Sequence, residues 1–339
     1  MKIHGVYIKK GEHKEISLPV ANLPTRTSID IQVNVFRGKK DGPVLLLMGG
    51  MHGDEVNGIE IIRRLIRKEL QELVAGTVIA IPILNIHGFI NFSREVPDGK
   101  DVNRSFPGRA EGSLASRIAF HFMKYIFPSI EYGIDFHTGG ASRSNYPQIR
   151  YTHDHPPSLE LAKVFAPPFI LKSRLREGSL RKMAIGANIP LLVYEAGEAM
   201  RLDNFAVKEG VAGTVRVLRH LGMTDKKVRA GKSIIIEESR WKRARAAGLF
   251  HTEVENGGYV EKNEIVGEIS GPFGQFNIVL RSPVAGHIIA VNNKPIIHQG
   301  DALLHIGMEK AEPESIKDED QENIMEKAFR NDKALKEEL

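Results

Sequence analysis

The fold is decided by the stretch VLLLMGGMHGDE, residues 44–55. Residues 44–48 are a continuous apolar run, which is typical of a strand buried on both faces of a parallel sheet. Gly49 and Gly50 follow and allow the chain to turn sharply where the strand ends. Apolar residues then recur at helical spacing from Ile59 to Leu70. A strand, a glycine turn and a helix in this order predict one unit of an α/β domain.

The same alternation continues towards residue 221. The pattern predicts strands at 77–84, 132–136 and 191–194, and helices at 113–127, 158–166, 177–187 and 203–221. Upstream, residues 1–43 alternate apolar and polar side chains as strands do. The segment between His137 and residue 158 is interpreted as a Pro-rich loop. Residues 85–112 form a long irregular stretch, and loops of that length inside a compact domain are usually functional. We therefore predict an α/β domain with a mostly parallel sheet.

The pattern changes after about residue 228. Helical periodicity disappears, and short apolar segments alternate with turn signals such as Asn256-Gly257-Gly258. This predicts a small all-β module. The last 31 residues are highly charged and have few apolar anchors, which is typical of a tail. The predicted organisation is a catalytic domain at 1–228, an all-β module at 229–308 and a charged tail at 309–339.

Composition narrows the function classes. A chain of 339 residues is too long for one ordinary core, so two domains are expected. There is no cysteine, which excludes disulfides and thiolate metal sites, so a zinc site would need histidine and carboxylate ligands. No apolar run is long enough for a signal peptide or a membrane span, and we expect a cytoplasmic protein without a membrane partner.

Charge is unevenly distributed along the chain. The net charge is +5, but residues 309–339 hold 11 acidic and 6 basic side chains, so the rest of the chain carries +10. A basic body can indicate nucleic-acid binding. Here no run of Lys and Arg is interleaved with aromatic residues, so we expect a small anionic substrate instead.

Four residues that could carry chemistry follow predicted strands. His52 and Glu55 come after the first buried strand, His137 ends the strand at 132–136, and Glu195 ends the strand at 191–194. A spacing of three residues places His52 and Glu55 on one side of the turn that opens the helix. The carboxyl ends of strands are the edge at which open α/β sheets bind ligands. We therefore expect these four side chains to converge.

The residue types fit a hydrolytic zinc site. Two imidazoles and one carboxylate leave a tetrahedral zinc ion with one position for water, whose pKa the metal lowers to about 7. Glu195, which is not needed as a ligand, suits the exchange of protons with that water and a leaving amine. Taken singly, His52 and Glu55 have ordinary explanations, as a hydrogen-bonded histidine at a strand end and an acidic residue at a helix start. Their combination with His137 favours one Zn²⁺ per chain.

Several longer motifs resemble the succinylglutamate desuccinylase/aspartoacylase family, which is related to the zinc carboxypeptidases. The resemblance spans about residues 30–220. It implies a three-layer α/β/α carboxypeptidase-like fold, with zinc on His52, Glu55 and His137 and with Glu195 as general base and acid. The motifs, in chain order, are GGMHGDEVNG at 49–58, DVNR at 101–104, DFHTGG at 135–140 and YEAGE at 194–198.

The resemblance also implies substrate contacts. Asn103 and Arg104 match an Asn-Arg pair that binds a substrate carboxylate, and Arg94 matches an arginine that polarises the scissile carbonyl. A guanidinium can bind a carboxylate with two hydrogen bonds or stabilise a developing oxyanion. Arg181 is a further candidate substrate contact. His87 is expected in a structural or substrate-rim role.

The C-terminal module differs from that of aspartoacylase. Residues 245–307 resemble a biotinyl/lipoyl-like barrel-sandwich, but they contain no Met-Lys-Met turn, so covalent cofactor attachment is not expected. Such a module would shape the cleft, form an interface in a homo-oligomer, or pack as an appendage. His153 and His155 are expected at the surface.

These observations predict an amidohydrolase. The hypothesis is zinc-dependent hydrolysis of a small N-acyl amino acid, or of a similar amide that carries a free carboxylate. One alternative is a metallocarboxypeptidase that acts on short peptides with the same site. Another is a non-catalytic sensor of zinc or a carboxylate, although a pure binder would not need a general base such as Glu195.

Overall fold

A computed structural model describes residues 1–22 and 25–309, so all but the first residue of the predicted tail lies outside it. The α-helices are α1 Val56–Arg67, α2 Ile86–Ile90, α3 Leu114–Tyr125, α4 Pro156–Phe165, α5 Leu180–Gly186 and α6 Asn204–His220, with 3₁₀ turns at Glu69–Glu72, Val102–Arg104 and Phe127–Ser129. The strands of the first 228 residues are β1 Lys2–Ile3, β2 Val6–Tyr7, β3 His13–Asn22, β4 Ser28–Arg37, β5 Lys40–Met48, β6 Ala75–Ile81, β7 Tyr132–Gly139, β8 Arg143–Tyr151, β9 Phe169–Lys172 and β10 Leu191–Glu198. Those after residue 228 are β11 Ile234–Arg243, β12 Gly248–Thr252, β13 Tyr259–Val260, β14 Ile265–Ser270, β15 Asn277–Arg281, β16 Gly286–Asn292, β17 Ile296–Ile297 and β18 Ala302–Glu309.

One mixed sheet organises the described chain. Its strand order is β13-β16-β18-β11-β9-β8-β10-β7-β5-β6-β4-β3. The four central strands β10, β7, β5 and β6 are parallel, whereas β8 and β4 flank them in the antiparallel direction. The prediction of a mostly parallel sheet therefore holds for this centre and for the pairs β8–β9 and β9–β11, whereas the other pairs are antiparallel. Strands β1 and β2 form a separate two-stranded sheet.

Apolar side chains fill both faces of the central sheet. Successive residues of a strand point to opposite faces, so the continuous apolar run of β5 supplies both sides. Leu46 and Met48 pack with α3 and α5 residues on one face, and Leu45 and Leu47 pack with α1, α4 and α6 residues on the other. Burial on both faces fixes the central strands and, with them, the residues at their carboxyl ends.

The C-terminal region is rich in sheet, as predicted, and is continuous with the main sheet. Strands β8, β9, β11, β18 and β16 pair in turn, and β16 pairs back to β8, so these five strands close into a ring. A second sheet has the order β15-β14-β12-β17 and shares an apolar core with the ring strands. The two parts of the chain are thus joined by backbone pairing.

The interpretation of the segment between His137 and residue 158 as a Pro-rich loop is wrong in part, because residues 143–151 form β8. Asn145 lies opposite Gly197 and Gln148 opposite Glu195, so three steps along β8 match two along β10. The extra residue is a β-bulge that contains Pro147, where the missing N–H is tolerated. The predicted helices are all present within a few residues of their expected bounds. In the described part of the chain, no helix is both long and apolar enough to span a membrane.

Candidate active site

The turn after β5 brings His52 and Glu55 to the carboxyl end of the sheet. Gly50 has a φ of +53°, a conformation that glycine adopts without steric cost. Gly53 packs so closely on α2 that an added Cβ would lie 1.8 Å from the carbonyl carbon of Gly88. The turn is therefore closely packed against α2, and Glu55 directly precedes the first residue of α1.

Neighbouring strands supply the other two residues. β7 lies between β5 and β10, all three parallel, so their carboxyl ends share one edge. His137 on β7 is directly opposite Glu195 on β10. Both strands continue past these residues, to Gly139 and Glu198, so the side chains project from the sheet face near its edge. The structure brings His52, Glu55 and His137 together and places Glu195 beside His137 on the neighbouring strand.

His52, Glu55 and His137 form a buried cluster suited to a metal ion. Glu55 Oε1 lies 2.7 Å from His52 Nδ1, and Glu55 Oε2 lies 2.9 Å from His137 Nδ1. One ligand atom from each residue lies within 4.8 Å of the others, and none of the three side chains is more than 4% exposed. Both imidazoles turn the same nitrogen towards the carboxylate. Two imidazoles and one carboxylate are a donor set that zinc accepts.

Two aspartates hold the outer nitrogens of the imidazoles. Asp135 Oδ2 lies 2.8 Å from His137 Nε2, and Asp101 Oδ1 lies 3.2 Å from His52 Nε2. Such partners fix the orientation of metal-binding histidines and raise their basicity. Asp135 Oδ1 and Thr138 Oγ1 are buried beside the cluster without a hydrogen-bond partner among residues 1–22 and 25–309. The donor set of two imidazoles and one carboxylate fits a site that takes a metal ion.

The cluster is strongly coupled electrostatically. Burial would raise the pKa of Glu55, but His52 and His137 outweigh it and hold that pKa well below its usual range. Burial would lower the pKa of His137, but Asp135 and Glu55 outweigh it and raise that pKa. The Glu55 carboxylate is therefore ionised at neutral pH, as a metal ligand must be.

Glu195 is held from the side of β8. Its Oε2 accepts a hydrogen bond from Asn145 Nδ2 at 2.9 Å, and its Oε1 lies 3.3 Å from Arg150 Nε in an ion pair. The side chain of Glu195 is 15% exposed, so the carboxylate is largely shielded but still open to a small molecule.

The other predicted residues lie around this edge in different environments. Arg94 Nη2 donates to Asp101 at 2.8 Å, and Arg94 Nη1 lies 3.3 Å from Glu55, so Arg94 adjoins the cluster directly. Arg104 is exposed and donates to the carbonyl of Asn103, whose Oδ1 accepts from the backbone of Leu180 at the start of α5.

Arg181 is buried and already well bonded. Its guanidinium donates to Ser173 Oγ at 2.9 Å and to the carbonyl of Arg174 at 2.7 Å. Burial and the nearby Arg150 lower the pKa of Arg181 to about 10. These bonds fasten α5 to the preceding loop, so the substrate contact predicted for Arg181 would have to share a guanidinium that the protein already uses.

Four neighbours of the site were not predicted: Asp101, Asp135, Asn145 and Arg150. Asp135 had a usable signal, because residues two apart on a strand share a face and His137 follows at that spacing. Asp101 lies in the irregular stretch, where spacing carries no such information. Asn145 and Arg150 lie on β8, whose sequence pattern predicted a loop.

Three other histidines considered from the sequence, His87, His153 and His155, lie outside the cluster. His87 lies on α2 with a buried Nε2 that lacks a partner among the described residues. His153 is exposed, as predicted, and lies 3.0 Å from Glu237. The surface prediction for His155 is wrong. It is 4% exposed because its Nδ1 accepts from Ser158 N and caps α4.

Comparison with known proteins agrees with this arrangement. The sequence profile of the succinylglutamate desuccinylase/aspartoacylase catalytic domain matches residues 41–221, just over half of the chain. The chain belongs to the succinylglutamate desuccinylase/aspartoacylase family. The match contains all four residues that converge at the sheet edge.

Individual relatives of this family were also found. The N-alpha-acetyl-L-2,4-diaminobutyric acid deacetylase of Halomonas elongata is 32% identical over 167 residues, 47% of this chain and 48% of that protein. The match thus spans about half the length of the curated relative. The product-bound ectoine utilization protein EutE (DoeB) of Ruegeria pomeroyi has a TM-score of 0.79 at 23% identity, covering 88% of this chain and 94% of that one. A family member from Rhodobacter sphaeroides gives 0.78 at 24% identity, covering 88% and 96%. These structures share the fold.

Proposed function

We propose that this protein is a zinc-dependent deacylase that hydrolyses the amide bond of a small N-acyl amino acid. One observation carries the proposal. A buried cluster of two imidazoles and a carboxylate lies at the same sheet edge as Glu195, a carboxylate that the cluster does not use. Amide hydrolysis needs a Lewis acid and a separate proton carrier, and this edge offers a residue set for each.

In this proposal His52, Glu55 and His137 hold the zinc ion. A bound zinc ion supplies polarisation of a carbonyl group and a lower pKa for water. Glu195 takes a proton from the attacking water and returns it to the nitrogen of the leaving amine. Asn145 and Arg150 each contact one oxygen of the Glu195 carboxylate.

The arginines supply charge complementarity. Arg94, which is close to Glu55 and 36% exposed, stabilises the negative charge that develops on the carbonyl oxygen. Arg104 is exposed and binds the free carboxylate of the substrate together with Asn103. Arg181 would act at the margin of this site through guanidinium N–H groups that do not bond to the loop.

The relatives support a deacylase more than a peptidase. The Halomonas elongata relative is named for removal of an acetyl group from an amino acid, and the part it shares with this chain is 32% identical.

We further propose that residues 1–228 form a three-layer catalytic domain. Residues 229–308 form a barrel-sandwich-like module, which packs beside β8.

The test uses the full-length protein loaded with zinc. Release of free amine would be measured for N-acetyl and N-succinyl amino acids and for short peptides. We expect turnover of one or more N-acyl amino acids. Glu195→Gln should lower kcat by about 10²–10⁴-fold, because general acid–base catalysis contributes that much, while zinc content stays equal.

Glu160→Gln is the matched control, because Glu160 is exposed on α4 and pairs only with Lys163 among the described residues. It should keep full activity. Full activity of Glu195→Gln would remove Glu195 from the mechanism. Release of C-terminal residues from peptides without turnover of any N-acyl amino acid would favour the carboxypeptidase alternative. Tight binding of amides without any turnover would favour a sensor.

A further inference from the structure

Strand β8 connects the candidate base to the C-terminal region. Asn145 and Arg150 extend from one face of this strand and approach the two oxygens of Glu195 at 2.9 Å and 3.3 Å. The bulge at residues 146–147 makes this possible. Without the extra residue, Asn145 would point to the opposite face from Gln148 and Arg150, since side chains alternate along a strand.

The two contacts differ in exposure, because the amide of Asn145 is buried whereas the side chain of Arg150 is 34% exposed. Asn145 is 8% exposed, and its amide is directed at Glu195 Oε2. Arg150 Nε is buried and lies 3.3 Å from Glu195 Oε1 in an ion pair that lacks hydrogen-bond geometry. A carboxylate with one partner on each oxygen has few rotamers open to it, so the orientation of Glu195 is largely set before substrate binds.

The C-terminal region holds this part of β8 from its other edge. Strand β16 pairs with it, with Ala290 opposite Asn145 and Val291 opposite Ser144. Gln148 donates to the carbonyl of Ile289 at 3.0 Å, and Asn256 donates to the carbonyl of Ser144 at 3.0 Å. The β8 edge would otherwise be open at the bulge, where a strand is most easily deformed.

The C-terminal region also contacts β10 directly. Asn293, which follows β16, donates to Glu198 Oε2 at 2.7 Å, three residues beyond Glu195. Its backbone N–H donates to the carbonyl of Ser142 at 2.8 Å. The segment after β16 therefore joins the carboxyl end of the strand that carries Glu195 to the start of the strand that orients it.

We infer that Asn145 and Arg150 are positioning residues for Glu195, and that the C-terminal region keeps them in place by adding β16 to the bulged end of β8. The inference rests on the proposed function, because it assumes that Glu195 transfers protons. It gives the C-terminal region a role in the chemistry that does not require any of its residues to touch the substrate.

The test compares kcat and KM of the full-length, zinc-loaded protein with the best N-acyl amino acid. Asn145→Ala and Arg150→Gln should each lower kcat by about 10²-fold, the cost of a misplaced catalytic group, with little change in KM. Arg150→Lys should recover part of the loss because it keeps the positive charge beside Glu195. Asn256→Ala should lower kcat in the same direction by a smaller factor.

Asn277→Ala is the matched control in the C-terminal region, because the Asn277 amide bonds to Glu268 within that region and not to β8. It should leave kcat unchanged. Melting temperature and zinc content, measured for every variant, separate a positioning effect from loss of folded protein. If Arg150→Gln does not fold, Asn145→Ala and Asn256→Ala still decide the question.

The outcomes separate the two proposals. Loss of activity in Glu195→Gln together with unchanged kcat in Asn145→Ala and Arg150→Gln would overturn the positioning role alone. A rise in KM with unchanged kcat would overturn it as well, since it would show substrate binding instead. Full activity of Glu195→Gln would sink the proposed function, and this inference would fail with it.

Discussion

Glu55 organises the candidate metal site because its carboxylate faces both imidazoles at once. Each of its oxygens lies within 2.9 Å of one Nδ1, and Oε2 also accepts from the backbone N–H of Thr138 at 3.0 Å. That last bond ties the turn after β5 to β7. The two imidazoles are oriented in turn by Asp101 and Asp135, which contact the Nε2 atoms of His52 and His137.

Asp135→Asn should weaken zinc binding. The asparagine keeps the shape but loses the charge that raises the basicity of His137, and removal of such a partner typically costs about 10–100-fold in metal affinity. Competition with a chromophoric chelator would measure the affinity. Asp98→Asn, at an exposed loop position, is the control. Equal zinc affinity in both variants would show that Asp135 does not support His137.

At the scale of residues, the sequence locates the residues at the strand ends better than the residues that contact them. His52, Glu55, His137 and Glu195 each follow an apolar strand, and parallel strands bring such positions to one edge. Asn145 and Arg150 meet Glu195 only through an antiparallel pairing with a bulge. No local pattern records that pairing, because its register depends on contacts between distant parts of the chain.

At the scale of elements, helix α1 packs against β7 through a residue without a side chain. A Cβ on Gly58 would lie 2.7 Å from the Cβ of Phe136 and 2.8 Å from its carbonyl oxygen. Gly58→Ala should therefore move α1 away from β7 and destabilise the protein by about 1–3 kcal/mol, the usual cost of overpacking. Urea unfolding would measure this loss of stability. Zinc affinity should also fall, because His137 directly follows Phe136 on β7.

The matched control for that variant is Gly186→Ala. Gly186 ends α5 with open space around its Cβ position, so alanine should leave stability unchanged or raise it by up to about 1 kcal/mol. Equal effects of the two substitutions would show that the contact between α1 and β7 is not as close as the geometry indicates.

Helix α1 also carries a pH-dependent ion pair. Arg63, helped by Arg64, lowers the pKa of Glu60 from its ordinary value of 4.5 to about 2. A carboxyl with a lowered folded pKa stabilises the protein above its unfolded pKa, and the contribution is lost as pH falls from 4.5 towards 2. Glu60→Gln should thus lower the free energy of unfolding at pH 7 by about 0.5–1 kcal/mol relative to wild type. At pH 3.5 this difference between the two proteins should be smaller. A difference in urea midpoint that is constant over this range would contradict the ion pair.

The sequence predicts elements well where a pattern is periodic and poorly where it is interrupted. Amphipathic or apolar periodicity places α1, α3 and α6 within a few residues. Strand β8 contains Pro147 and alternates irregularly because of its bulge, so its pattern is that of a loop. Burial between two neighbouring strands, and not local propensity, makes it a strand.

At the scale of the whole molecule, one sheet joins the regions that the sequence separates at residue 228. β11 pairs with β9 in the parallel direction, and β16 pairs with β8. Tyr151 donates to Glu237 at 3.0 Å and adds a side-chain link between β8 and β11. The sequence pattern does change near residue 228. The strand pairs that cross this boundary join distant parts of the chain, so no local pattern predicts them.

This continuity predicts a single unfolding transition. Trp241 is the only tryptophan, and it lies on β11, where its ring stacks on His305 at 4.3 Å. Its fluorescence therefore reports on the C-terminal region, whereas loss of enzymatic activity reports on the edge that carries Glu195. Since opening the ring of β8, β9, β11, β18 and β16 would expose strand edges in both regions, the two should unfold together. Coincident urea transitions by fluorescence, activity and far-UV circular dichroism are expected. Loss of the tryptophan signal at a urea concentration that leaves activity intact would mean that the C-terminal region unfolds independently, and it could then not be what holds Asn145 and Arg150 against Glu195.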